Sequence, residues 1–146
     1  MIIDCISDLH GHYPKLEGGD LLIVAGDLTA HDEEDEHWKF LEWLCEQKYK
    51  KRIIIAGNHD AYYTRRVPMS SMKDDMSFDW YYLEDSGTEF EYEEEEVTKW
   101  GTKMLTKKLK IWGSPWTKWF PEVNPKYTAF MLKTEEELAE KWAMIP

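Results

Sequence analysis

The chain has 146 residues, 42% apolar and 14% aromatic, with a formal charge of −11. That is the size and composition of a single domain, residues 1 to 146, with a core of its own. The charge speaks against a phosphate-backbone binder, so nucleic acid is not an expected partner, even with basic runs at Lys48, Lys51 and Arg52 and at Lys107, Lys108 and Lys110. No apolar run approaches the roughly 20 residues of a membrane span. The two cysteines, Cys5 and Cys45, fit neither a disulfide framework nor a zinc spacing, so buried free thiols in a reducing, cytoplasmic setting are expected.

In chain order, three short apolar runs come first: Ile2 to Ile6, Leu21 to Ala25 and Ile53 to Ala56. Their β-branched content and the turn residues that follow predict strands buried on both faces of a parallel sheet. Pro14 and Gly18-Gly19 leave room for a short helix at most between the first two. From Glu34 to Lys48, the residues Trp38, Leu41, Leu44 and Cys45 fall on one helical face, with acids early and lysine late as the helix dipole favours. Strand, helix and parallel strand make a βαβ unit with a right-handed crossover.

Arg65 to Asp79 reads as a loop, and Tyr81 to Leu83 as a short strand closed by a turn at Asp85-Ser86-Gly87. Glu89 to Val97 reads as an exposed or edge strand at most, and Leu105 to Trp112 as another strand. Thr134 to Ala143 predicts a helix with Thr134 as N-cap, Glu137 completing a capping box, and Leu138 and Trp142 on one face. The acidic runs Asp32 to Glu36 and Glu89 to Glu96 read as solvated faces, although clustered carboxylates are also one way to hold a divalent cation.

The chemistry-bearing residues fall at strand ends. Asp8-Leu9-His10 follows the first strand, Gly26-Asp27 the second, and Gly57-Asn58-His59-Asp60 the third. In a parallel sheet those turns share the carboxyl edge where ligands bind, so residues up to fifty positions apart converge. Taken singly, each is also an ordinary turn, cap or surface residue. Together, hard oxygen donors mixed with imidazole suit manganese, iron or zinc rather than calcium or a thiolate site.

These motifs resemble the calcineurin-like metallophosphoesterase superfamily. Gly113-Ser114-Pro115-Trp116 and Tyr82-Leu83-Glu84-Asp85-Ser86-Gly87 are similar to its small phosphodiesterase branch, the metallophosphoesterase-domain proteins, and the likeness runs from residue 3 to about 146. The resemblance implies an α/β fold, an αββα sandwich of which this chain supplies the N-terminal part. It implies two divalent ions and a small phosphoester substrate attacked by a metal-activated hydroxide. Asp8 and His10 would bind the first ion, Asp27 would bridge both, and Asn58 would bind the second and touch a phosphate oxygen. His59 would protonate the leaving oxygen or stabilise the transition state, with Asp60 orienting its ring.

The family pattern continues with further histidines, in a Gly-His and a Gly-His-x-His context. This chain has five histidines, the last of them His59. The expectation is therefore a site with two ions if complete and one in this chain, impaired or completed by a second chain, or by His12 or His31 of a second copy in a homodimer. A degenerate metal-binding or assembly module of the same fold is the alternative. Trp116 and Trp119 read either as a platform for a nucleobase or as core, and the aromatic residues from Trp80 to Trp119 as an interface or as this chain's own core.

Overall fold

The computed structural model describes residues 1–65, 80–120, 122 and 126–146. Strands β1 (Ile3–Ile6), β2 (Gly19–Ala25), β3 (Tyr49–Ile55) and β4 (Trp80–Tyr82) form one sheet in that order, every neighbouring pair parallel. Among the described residues no helix separates β1 from β2. The two apolar sets of the central strands alternate as the pleat requires. Leu22, Val24 and Ile54 face helix α1 (Glu34–Glu46), while Leu21, Ile23, Ile53 and Ile55 face the other way. Burying each large side chain of this core contributes about 1.5–3 kcal/mol.

Helix α1 starts on a capping box between Glu33 and Glu36, and it buries His37, Phe40, Leu41 and Leu44. The apolar face lies one position from the one expected: His37 takes the inner place and Trp38 is 43% exposed. His37 is tolerated there because its Nε2 lies 3.1 Å from Oδ1 of Asp32. The expected late lysine also falls outside, since the helix ends at Glu46 with no basic residue in its last turn.

On the far face, β5 (Ser86–Thr98) and β6 (Gly101–Gly113) form an antiparallel hairpin whose Phe90, Tyr92, Leu109 and Ile111 pack on the sheet. What read as an edge strand at most is a 13-residue strand with a partner of equal length. Acid meets base across it: Lys107 pairs with Glu94, and Lys108 with Glu89 and Glu91 at 3.2 and 2.9 Å. The hairpin's outer half stands in solvent, with Val97 81% and Trp100 86% exposed at the tip. Of the aromatic residues, Trp80 is fully buried and fills the core.

Cys5 is exposed, against expectation. It pairs in register with Ile23 on the face away from α1, which the hairpin also covers, but β1 is an edge strand and the buried part of that cover lies over the inner strands, at Leu21 and Ile53, and at Leu83. Cys45 is half-buried, and desolvation pushes its thiol pKa up against the opposing pull of Arg52.

The expected loop from Arg65 onward lies outside the described residues, except that Tyr62–Arg65 is a helical turn, α2. Strands β7 (Thr117–Lys118) and β8 (Met131–Leu132) make a small parallel pair. Helix α3 (Glu135–Trp142) begins on the expected capping box of Thr134 and Glu137. It buries no side chain, and Trp142 is exposed. No described helix is long and apolar enough to cross a membrane. The architecture is α/β, built on a parallel sheet.

Candidate metal centre

The carboxyl edge of the sheet is bent before it is chemical. Asp8, His10, Asp27 and Asp32 all have left-handed backbones, with φ of 54°, 44°, 49° and 60°. Residues other than glycine rarely adopt that conformation, and clusters of it mark functional sites. The bends are locked by backbone bonds between loops: the Asp8 amide donates to the Gly26 carbonyl at 3.2 Å and the His10 amide to the Asp27 carbonyl at 2.9 Å. Gly57 completes the closure. A Cβ on it would lie 2.2 Å from Oδ1 and 2.3 Å from the amide nitrogen of Asp27.

The three loops bring donor atoms of His10, Asp27 and His59 within 4.8 Å of one another. His10 Nε2 lies 3.7 Å from Oδ2 of Asp27, and the two imidazoles meet edge to face at 4.5 Å. The other carboxylate oxygen, Oδ1, accepts the His59 amide at 3.1 Å. Asp8 sits on the same edge with its side chain exposed and is not in that three-donor group. Asn58 donates from Nδ2 to the Tyr127 carbonyl at 3.2 Å. Because a carbonyl only accepts, the Asn58 Oδ1 is the end left to meet a cation. Two imidazoles and a carboxylate, with an amide oxygen beside them, fit a borderline divalent ion.

His59 and Asp60 divide the labour differently from the expectation. His59 Nδ1 lies 2.9 Å from the Ala30 carbonyl, so Nδ1 carries the proton and Nε2 is the nitrogen offered to chemistry. The ring-orienting contact thus comes from Ala30. Asp60 is fully buried and acts one step back. Its Oδ2 accepts the amides of Leu28 at 3.0 Å and Gly57 at 2.7 Å, and its Oδ1 accepts the amide and hydroxyl of Thr29, both at 3.0 Å. Desolvation dominates and raises its pKa, while those bonds pull the other way. One carboxylate therefore ties the loop carrying Asp27 to the loop carrying His59.

Three partners had no signal in the motifs: Thr29, the Ala30 carbonyl and Tyr127. Tyr127 stacks on His59 with ring centroids 4.0 Å apart and planes 24° from parallel. His12 and His31, the two histidines considered as substitute ligands, are both exposed, and His31 meets the Tyr127 hydroxyl through Nδ1 at 3.1 Å.

The Gly-Ser-Pro-Trp segment is bonded to Asp85 and packed on Phe130. Trp116 Nε1 donates to Asp85 at 2.8 Å, its ring meets Phe130 edge-on at 5.4 Å, and Lys141 lies over it at 4.3 Å. Asp85 also accepts Ser114 Oγ at 3.0 Å and Lys141 Nζ at 2.7 Å, and so pins α3 to the strand ends. Burial would raise the Asp85 pKa, but the bonds from Lys141, Trp116 and Ser114 outweigh it and hold the carboxyl below its usual value.

This is the arrangement of an α/β protein whose sheet gathers, at its carboxyl edge, donors able to hold a divalent cation. The calcineurin-like phosphoesterase model matches residues 1–126, and the chain belongs to that family. It is 32% identical over 153 aligned residues to metallophosphoesterase domain-containing protein 1 of Homo sapiens and to the Mus musculus protein of the same name, the match covering 97% of this chain and 44% of theirs. It is 34% identical over 116 residues to a probable rhamnogalacturonate lyase C of Emericella nidulans, across 77% of this chain and 10% of that one. The chain thus spans less than half the length of these relatives.

Proposed function

We propose that the chain carries the metal-binding part of a phosphoric ester hydrolase acting on small phosphodiesters. The observation behind this reading is the meeting of His10, Asp27 and His59 on three interlocked loops. Asp8, His10 and Asp27 would hold one ion, and Asp27 with Asn58 would reach a second, manganese, iron and zinc being the metals that suit such donors. When bound, the ions supply Lewis acidity and lower the pKa of water toward about 7. Asn58 presents Oδ1 to an ion or a phosphoryl oxygen, its nitrogen being held by Tyr127. His59, whose Nδ1 donates to the Ala30 carbonyl, would keep Nε2 for the leaving oxygen rather than for an ion and, as the doubly protonated imidazolium, would hand it the Nε2 proton. Further nitrogen ligands would come from outside these 146 residues, a second copy of the chain being one source that can be tested.

A second reading is a module that binds one ion without turnover. It is favoured by the single three-donor group found among the described residues. Titration with Mn²⁺ by calorimetry and EPR, alongside hydrolysis of bis(p-nitrophenyl) phosphate, separates the two. Metal-dependent turnover that vanishes with ion binding in Asp27→Ala supports the hydrolase. At most one weakly held ion, no turnover and no response to Asp27→Ala would sink it. Turnover per chain that rises with chain concentration identifies a second copy as the source of the remaining ligands.

A further inference from the structure

Between the metal centre and the small β7–β8 pair runs a segment that touches the third loop repeatedly. The Ala129 amide donates to the Asn58 carbonyl at 3.3 Å, and the Tyr127 carbonyl accepts the Asn58 side chain at 3.2 Å. The Tyr127 ring lies flat on His59, and its hydroxyl is tied to His31. His59 is thus restrained three ways, by Tyr127 on a face, by His10 at an edge and by the Ala30 carbonyl at Nδ1. Chain separation makes this informative, since Tyr127 lies 69 residues beyond Asn58.

We propose that Tyr127 is a positioning residue of the centre, its ring setting the plane of His59 and its carbonyl setting which end of Asn58 faces the ions. The inference rests on the phosphoesterase reading for its kinetic consequence but not for its geometry. An imidazole that swings loses the near-attack alignment on which proton transfer to a leaving oxygen depends. The consequence is selective. An ester with a poor leaving group needs that proton, whereas a nitrophenolate departs without it. The His31 contact is exposed and reaches only the hydroxyl, whereas the stack on His59 is made by the ring, so the ring matters more than the hydroxyl.

The test uses the full chain and the variants Tyr127→Phe, Tyr127→Leu and His31→Ala. In the metal-free protein, the His59 ring protons are followed by NMR and assigned with His59→Gln. The ring-current displacement of those resonances persists in Tyr127→Phe and in His31→Ala, which both keep the ring, and is lost in Tyr127→Leu. In the Mn²⁺-loaded protein, kcat of Tyr127→Leu falls roughly tenfold or more on a phenyl diester. It changes little on bis(p-nitrophenyl) phosphate, with KM nearly constant, and Tyr127→Phe restores it. His59 resonances identical in Tyr127→Leu and the parent chain would overturn the proposal, as would equal losses on both esters. If the parent chain hydrolysed neither ester while the resonances still moved, the hydrolase reading would fall and the positioning of His59 by Tyr127 would stand.

Discussion

Replacing Asp60 by asparagine keeps the size of the side chain and removes half of its acceptor capacity. The carboxylate serves four donors, two on each oxygen. An asparagine places its oxygen best toward Leu28 and Gly57, leaving its amide nitrogen against the Thr29 amide and hydroxyl. The hydroxyl adapts, because it can accept from the new amide and still donate to the His59 carbonyl, 3.1 Å away. The Thr29 amide cannot, and it is left buried opposite another donor. One orphaned donor costs about 1–3 kcal/mol, and losing the charge-assisted bonds adds about 1, so a loss of about 2–4 kcal/mol is expected. Asp60→Ala strands three backbone amides and should cost about 3–5 kcal/mol, a large part of a domain's stability. Urea unfolding followed by tryptophan fluorescence reads both losses, provided the slope with denaturant is unchanged. The clamp argument also requires Mn²⁺ affinity to fall in Asp60→Asn, although this residue is no ligand. An asparagine variant within about 0.5 kcal/mol of the parent, the range of an indifferent surface change, would refute it.

Three further outcomes follow from the same geometry. Gly57→Ala forces a methyl into the Asp27 backbone and carboxylate, so it should destabilise by about 1–3 kcal/mol and weaken Mn²⁺ binding, as denaturation and calorimetry would show. Asp85 has a folded pKa below its unfolded one, so its contribution is complete above the unfolded value and is lost as pH falls through the folded value. The stability deficit of Asp85→Asn should therefore be full at pH 7 and shrink below about pH 4, the unfolded carboxyl range, in melting curves taken across that interval. Finally, exposed Cys5 should react with a thiol reagent in the native chain well before Cys45, whose thiol is held protonated by burial, and peptide mass mapping would rank the two.

The strands and the edge that carries the site were legible because both are local signals. Apolar runs ended by Gly-Asp and Gly-Asn report buried parallel strands, and parallel strands place their ends together. What escaped depends on neighbours far along the chain. His37 occupies the inner face of α1 only because Asp32 accepts from it, so counting apolar residues rotated the face toward Trp38. Cys5 reads as core from its flanking isoleucines, but burial of an edge strand is decided by what covers it. In the hairpin, Glu89 and Glu91 stand opposite Lys110 and Lys108, a complementarity visible only when the two strands are aligned antiparallel. Asp60 directs its bonds to the backbone of Leu28, Gly57 and Thr29 and to the Thr29 hydroxyl rather than to the His59 ring, and Tyr127 left no local trace.

The left-handed residues carry a consequence for how such a chain tolerates change. A glycine would relieve the backbone at Asp8, His10 and Asp27 alike, since it adopts positive φ without the steric cost a side chain incurs. At those same positions a glycine has no donor atom to offer a cation. Drift toward a more comfortable sheet edge and drift away from cation binding are thus one movement, read at the same codons. A lineage that retains Asp, His and Asp there retains a conformation that its fold alone would not choose.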